Sequence, residues 1–292
     1  MDVLSQKKEL IGTVVEVKLL ATNSTLFDLC FSEFERIEKT YSRFIDNSEL
    51  SKLNKILGEW QVASEEMIWL ISKAIEFKEK TEGNFDITVK SILDNLGYDK
   101  SYSFKKKDER KQEISHEKEI EIMQKEKKVK LNKEIDFGGF GKGFALDRVK
   151  ELLERNKINH YYINAGGDIF ARSDKNQEPW AILLEHPEDS SRAIGKIELN
   201  NMSLAGSAPN RRRWGKYHHL INMKTREPAK GVKAIFVIAK TGIEADTYST
   251  ALFTAGFEDG ILLSRKLPVE VLIVSDTNKM YQSSGFDAEI FW

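Results

Sequence analysis

Residues 129–168 read VKLNKEIDFGGFGKGFALDRVKELLERNKINHYYINAGGD, and this stretch decides the fold class. Strand-like Val129–Phe137 runs into Gly138-Gly139-Phe140-Gly141-Lys142-Gly143, and a helix follows from Phe144 to about Arg155. Tyr161–Ile163 is then a strand ending in Asn164-Ala165-Gly166-Gly167-Asp168. Upstream, Ser64-Glu65-Glu66 opens a helix whose Met67, Leu70, Ile71, Ala74 and Phe77 form one stripe, with Gly83 as its stop. Ser24–Glu38 has near-helical spacing, Leu10–Leu20 suits one half-buried strand, and Tyr41–Asn54 reads as a polar loop. Downstream, Ala181–Leu184, Gly195–Leu199, Ile235–Ala239 and Val269–Val274 read as strands, and Asp246–Ala255 and Asp259–Lys266 as helices. Helices and strands intermix without a regular βαβ repeat, so the expected class is α+β, mixed β-sheets flanked by helices. No linker-like segment interrupts the chain, and one domain over residues 1–292 is expected.

Composition narrows the function. Forty percent hydrophobic residues support a sizeable core, and 45 Lys+Arg against 46 Asp+Glu leave no positive excess to attract nucleic acid or an anionic membrane. The single cysteine, Cys30, excludes an internal disulfide, a CxxC pair and a multi-thiolate zinc site. Residues 1–8 lack a signal peptide's apolar run and no stretch is long enough to span a bilayer, so a cytoplasmic protein is expected. The charged run Asp99–Glu134 carries 12 Lys/Arg and 9 Asp/Glu with signs interleaved, which reads as a solvated helix and hairpin.

Four features could carry chemistry. A strand feeding GGFGKG into a helix offers bare N–H groups and a positive helix end to an anion, with Lys142 adding charge; a tight glycine turn is the alternative. It is neither a Walker A loop, because Gly143 follows Lys142, nor a GxGxxG fingerprint. Asp246 and Thr250, at i and i+4 of a helix, share a face and offer hard oxygens to Mg²⁺; a helix cap is the simpler role for Asp246. His218 and His219 on a strand face opposite sides, so only one can serve a given site. Asn164–Asp168 lets backbone approach a ligand or simply turns the chain.

The order and wording of these segments resemble the ApbE family of FAD:protein FMN transferases. Ile135–Asp147 (IDFGGFGKGFALD) is similar to the family's DLGGIAKGYAVD, and Tyr161–Ile169 (YYINAGGDI) to its strand ending in NAGGDI. YSRFIDNSELSKLN at Tyr41–Asn54 resembles FSRFDPxSELSRLN, GNFDITV at Gly83–Val89 resembles GAFDPTV, and ADTYSTAL at Ala245–Leu252 resembles ADALATAL. HLIN at 219–222 stands where the family has HIID, and Gly206–Asn210 (GSAPN) where it has a T-S-G-D/N-Y-like stretch.

The resemblance implies FAD bound through Ile11, Phe44, Asn84, Phe85, Asp86, Asp136, Lys142 and Leu220. It implies Mg²⁺ bound through the Gly139 carbonyl, Asp246 and Thr250, and a histidine at His219 needed for activity. The implied reaction transfers FMN from FAD to a Thr or Ser hydroxyl of an acceptor protein, releasing AMP. The altered GSAPN and HLIN segments leave two other readings open: an FAD pyrophosphatase giving FMN and AMP, or a non-catalytic FAD-binding protein. His218 is expected to be dispensable.

Overall fold

The computed structural model describes residues 3–20, 24–107, 118–210 and 212–292. Its centre is an eight-stranded sheet in which spatial order follows chain order: Val3–Leu10, Thr13–Leu20, Tyr161–Ala165, Asp168–Arg172, Met202–Ser207, Val232–Ala239, Glu270–Ser275 and Met280–Gln282. Every neighbouring pair in it is antiparallel. The helices and nearly all of the smaller sheets are excursions between one strand and the next, the exception being the strand Ala288–Ile290 that follows the last, which is why no βαβ repeat shows in the sequence. Sheets and helices mixed in this way are the expected α+β class.

Both faces of the sheet are covered. Val15, Val17, Tyr161, Ile163, Ile235, Val237, Val271 and Ile273 pack toward the helices. Their neighbours Tyr162, Ala234, Phe236, Ile238, Leu272 and Val274 pack against Ile182, Leu184, Ile194 and Ile197 of a three-stranded sheet and against Phe286, just before its last strand. That two-sided burial explains the unbroken apolar runs at 234–239 and 271–274.

The expected strand Leu10–Leu20 is two strands. Ile11 and Gly12, at φ 49° and 70°, make a two-residue hairpin turn, and Val3–Leu10 pairs with Thr13–Leu20 along its length. The Val3–Leu10 strand escapes a pattern reading because only Leu10 in it is buried. The polar loop Tyr41–Asn54 contains a helix, Glu49–Lys55, whose first turn is capped by the Ser48 hydroxyl accepting from Ser51 N at 3.0 Å. Val129–Phe137 is strand only over Lys128–Leu131. Beyond it Asn54 takes over, donating Nδ2 to Ile135 O and accepting Ile135 N, both at 2.8 Å, and this sets the position of Asp136. In the charged run the hairpin is present, Ile120–Met123 with Lys128–Leu131, but its described residues contain no helix, and 108–117 lie outside them. Among the described residues no helix is long and apolar enough to cross a membrane.

Two helices position the site, Gly141–Arg155 and Gly242–Ala255. They touch through glycines: a Cβ on Gly143 would lie 2.1 Å from the Gly242 carbonyl oxygen, and one on Gly242 2.3 Å from that of Gly143. Each helix also caps the other. The Asp147 carboxylate accepts from Gly242 N at 2.6 Å and Ile243 N at 2.9 Å, while Asp246 accepts from Gly143 N at 2.9 Å.

Candidate active site

Asp246 is not the N-cap of its helix. Thr241 is, accepting from Glu244 N at 3.3 Å, and the helix begins four positions before Asp246. The carboxylate is therefore free to reach across to the neighbouring helix. There it fills the N-terminal N–H site at which the glycine cluster was expected to hold an external anion.

Lys142 lies between two buried carboxylates. Its ammonium pairs closely with Asp168 and stands 3.4 Å from Asp246 Oδ1. Burial works against the Lys142 charge, but Asp168 and then Asp246 outweigh it, so its pKa is raised and the ammonium persists. Burial pushes the Asp168 carboxyl up to about 6, with Lys142 pulling it down and Asp246 reinforcing the rise. Asp168 Oδ1 also accepts from Gly206 N at 3.3 Å, which ties the trio to the Met202–Ser207 strand.

Beside this trio the Thr250 hydroxyl lies 3.4 Å from the Gly139 carbonyl oxygen. With Asp246 these make one carboxylate, one hydroxyl and one carbonyl, a hard-oxygen set suited to Mg²⁺ and poorly suited to softer metals. The described residues hold no cluster of three or more His, Cys, Asp or Glu able to bind a metal, so any cation here draws on such mixed oxygens. Among the described residues Thr250 Oγ1 has only a long hydrogen bond, to Gly139 O, and Gly139, Asp246 and Thr250 all line one cavity. The donor set fits the ion.

The cavity over this cluster has a volume of about 210 Å³ and is lined by ten of the twelve residues expected at the site: Asn84, Phe85, Asp86, Asp136, Gly139, Lys142, His219, Leu220, Asp246 and Thr250. Ile11 and Phe44 line an adjoining groove of about 470 Å³, which shares Asp136, Gly138 and Lys142 with the cavity. The cavity alone is below the roughly 300–1,000 Å³ typical of ligand sites, whereas the joined cleft falls within it. Phe44 stacks on Tyr102 at 5.1 Å and 16° between planes, and the Arg43 guanidinium lies 4.4 Å from its ring centroid.

The two histidines differ sharply. His218 is buried; its Nε2 lies 3.0 Å from Ala229 O and its Nδ1 accepts from Leu220 N at 3.2 Å. These two bonds give it a structural role away from the cavity, and the expectation that transfer can do without it concerns activity rather than stability. His219 follows the short strand Tyr217–His218 and lines the cavity, and burial, then Arg212, push its pKa down to about 3. Its imidazole is neutral.

Three residues of the cleft were missed. Asp168 was visible only as the end of a glycine turn. Arg43, next to Phe44, reaches Asp136 at 3.1 Å and Asp94 at 2.6 Å and so holds the cleft wall. Arg212 lines both chambers. Asn164–Asp168 does both things open to it, making a two-residue hairpin turn while Gly166 and Asp168 line the cavity. Asn222, in place of an acid, donates Nδ2 to Thr254 O at 2.9 Å and accepts from Lys224 N and Thr225 N, which makes it a turn former.

Comparison with known proteins gives a consistent picture. The ApbE family model matches residues 11–273. The FAD:protein FMN transferase of Haemophilus influenzae is 29% identical over 316 residues, covering 97% of this chain and 90% of its own length. That of Buchnera aphidicola from Schizaphis graminum is 25% identical, covering 95% and 87%. The crystal structure of the ApbE protein of Thermotoga maritima superposes with a TM-score of 0.90 at 26% identity, covering 98% of both chains. A family match across nine-tenths of the sequence, with the glycine-paired helices, Lys142, Asp246 and Thr250 gathered in one cleft, leads to one conclusion: the chain belongs to the ApbE family.

Proposed function

We propose that this chain, an FAD:protein FMN transferase, moves FMN from FAD to a Thr or Ser hydroxyl of an acceptor protein in an Mg²⁺-dependent reaction. The observation that carries the reading is the Lys142–Asp168–Asp246 trio beside Thr250 and the Gly139 carbonyl, at the junction of an aromatic groove and a polar cavity. The groove around Phe44 and Tyr102 offers a stacking surface to one ring system of FAD, and Asn84–Asp86 and Leu220 line the chamber for the rest. Mg²⁺ on Gly139, Asp246 and Thr250 would supply charge neutralisation at the diphosphate. Lys142 adds a fixed ammonium whose position is held by two carboxylates, so little reorganisation is needed as charge develops.

The acceptor oxygen forms a bond to the FMN-side phosphorus, the bond from that phosphorus to the bridging oxygen breaks, and AMP departs with that oxygen. The hydroxyl proton needs an acceptor, and His219 enters the reaction neutral with a ring nitrogen able to take it. A diphosphate in the cavity offsets the Arg212 and Lys142 charges that depress this imidazole, and so raises its basicity when substrate is present.

The test is to incubate the protein with FAD and Mg²⁺, with and without Thr- or Ser-bearing acceptor polypeptides. Mass spectrometry follows the covalent FMN adduct, and chromatography follows AMP. Adduct and AMP in equal amounts are expected. Free FMN with AMP and no adduct would establish a pyrophosphatase, and unchanged FAD a binding protein.

A further inference from the structure

The charges of the inner cavity do not balance for the substrate proposed above. Asp168 and Asp246 share one ammonium, Lys142, which leaves the trio with one negative charge in excess. The other carboxylates of the wall have cations of their own: Asp136 pairs with Arg43 at 3.1 Å, whose second partner Asp94 is also held by Lys90 at 2.7 Å, and Asp86 pairs with Lys78 at 2.6 Å, whose second partner Glu119 is also held by Lys133. A divalent cation turns the trio's excess into a single positive charge. The diphosphate of a dinucleotide brings two negative charges, so one more cation is required.

Arg212 is the cation in place to supply it. It lines the inner cavity and the outer groove alike, so it stands at the seam where a ligand spanning both chambers must pass. Among the described residues no carboxylate pairs with its guanidinium, in contrast to Arg43, Lys78 and Lys142 around it. Its own carbonyl lies 3.4 Å from His219 Nδ1, which places its backbone beside the imidazole proposed to receive the proton. The geometry points to Arg212 as the residue that grips the diphosphate of the substrate at this seam, selecting a dinucleotide over flavins that lack the second phosphate. A guanidinium suits the task because its planar fork donates two parallel hydrogen bonds to phosphate oxygens. This rests on FAD being the ligand, as proposed above.

Calorimetric titration with FAD, FMN and riboflavin, in EDTA and again in Mg²⁺, separates the possibilities. Arg212→Ala is expected to weaken FAD binding by about 10- to 100-fold, the usual effect of losing a charged hydrogen bond. FMN should lose less, and riboflavin affinity should stay at the wild-type value. The salt dependence of FAD binding should also become shallower. Arg212→Lys keeps the charge without the fork and should fall between the two. Unchanged FAD affinity in Arg212→Ala overturns the assignment. So does an equal loss for riboflavin, which would mean that Arg212 supports the cleft rather than a phosphate. A wild-type protein that binds riboflavin as tightly as FAD would instead refute the dinucleotide reading itself.

Discussion

Gly143 is the third residue of the Gly141–Arg155 helix, and within a helix alanine is ordinarily better than glycine by up to about 1 kcal/mol. The structure reverses that sign. The added methyl carbon would lie 2.1 Å from the Gly242 carbonyl oxygen, 2.5 Å from its carbon and 2.8 Å from Asp246 Cβ. Two of these contacts are backbone, so no rotamer change relieves them, and the helices must part by roughly 1 Å to restore van der Waals spacing. Overpacking of this kind costs about 1–3 kcal/mol. Separation also stretches the 2.9 Å bond from Gly143 N to Asp246, a charge-assisted bond worth about 1.5–3 kcal/mol. Net of the propensity gain, Gly143→Ala should lose about 1.5–5 kcal/mol and at least ~2 °C in Tm. Because Asp246 moves with its helix, FMN transfer should fall about 10²-fold even in the folded fraction. Scanning calorimetry and the adduct-forming rate measure the two effects. A Gly143→Ala protein as stable and active as wild type would show that the glycine contact does not fix the site.

Asp246→Asn keeps the shape of the carboxylate but removes its charge; Mg²⁺-dependent transfer should be lost with the fold retained, and activity at ordinary Mg²⁺ levels would refute the metal reading. His219→Ala should slow transfer by about 10²–10⁴-fold with FAD affinity little changed. His218→Ala should instead destabilise by about 1–3 kcal/mol, because it leaves Leu220 N and Ala229 O without their buried partner, and a wild-type Tm would count against that role. Asp168 rises from 3.8 to about 6 on folding, so the folded state holds its proton more tightly than the unfolded chain. The corresponding stability is fully present below pH 3.8 and is lost as pH rises through about 6. Asp168→Asn should flatten that part of the Tm profile between pH 4 and 7, leaving the share due to Asp147, which burial also raises to about 6. An unaltered profile would refute the assignment.

Elements with one buried face or a strong cap were legible in the sequence. Ser64 opens the Glu65–Lys80 helix as its spacing implies, and the Gly141–Arg155 and Gly242–Ala255 helices end where expected but begin three and four residues before Phe144 and Asp246. The Val3–Leu10 strand was hidden because it lies at the sheet edge, where solvent permits Gln6, Lys7, Lys8 and Glu9 and no alternation develops. The turn that ends it uses Ile11 at positive φ, a conformation that a β-branched residue rarely adopts and that no propensity reading assigns to it. The site residues lying in worded segments, from Asn84 to Thr250, meet in one cleft. Asp168 lies in such a segment but only as the end of a glycine turn, and Arg212 lies in none, because what sets these two apart is a partner shared or lacking across the cleft, and pairing is a property of three dimensions. The same holds for His218, whose two ring-nitrogen hydrogen bonds are made with Leu220 and Ala229.

The sheet and the site differ in how they can be assembled in time. Each strand of the central sheet has its chain neighbours as spatial neighbours, so a chain emerging from its N-terminus can add strands in the order they are made. The cluster at Lys142 has no such route. Gly143 and Asp246 are 103 residues apart, and until the Gly242–Ala255 helix docks, Lys142 has only Asp168 and the Gly139 carbonyl faces no hydroxyl. Nascent or clipped forms that end before that helix can therefore possess most of the sheet and none of the chemistry. Assembly of the site thus reports the docking of one helix, and a chain in which that helix has not docked lacks the Asp246 and Thr250 oxygens whatever the state of its sheet.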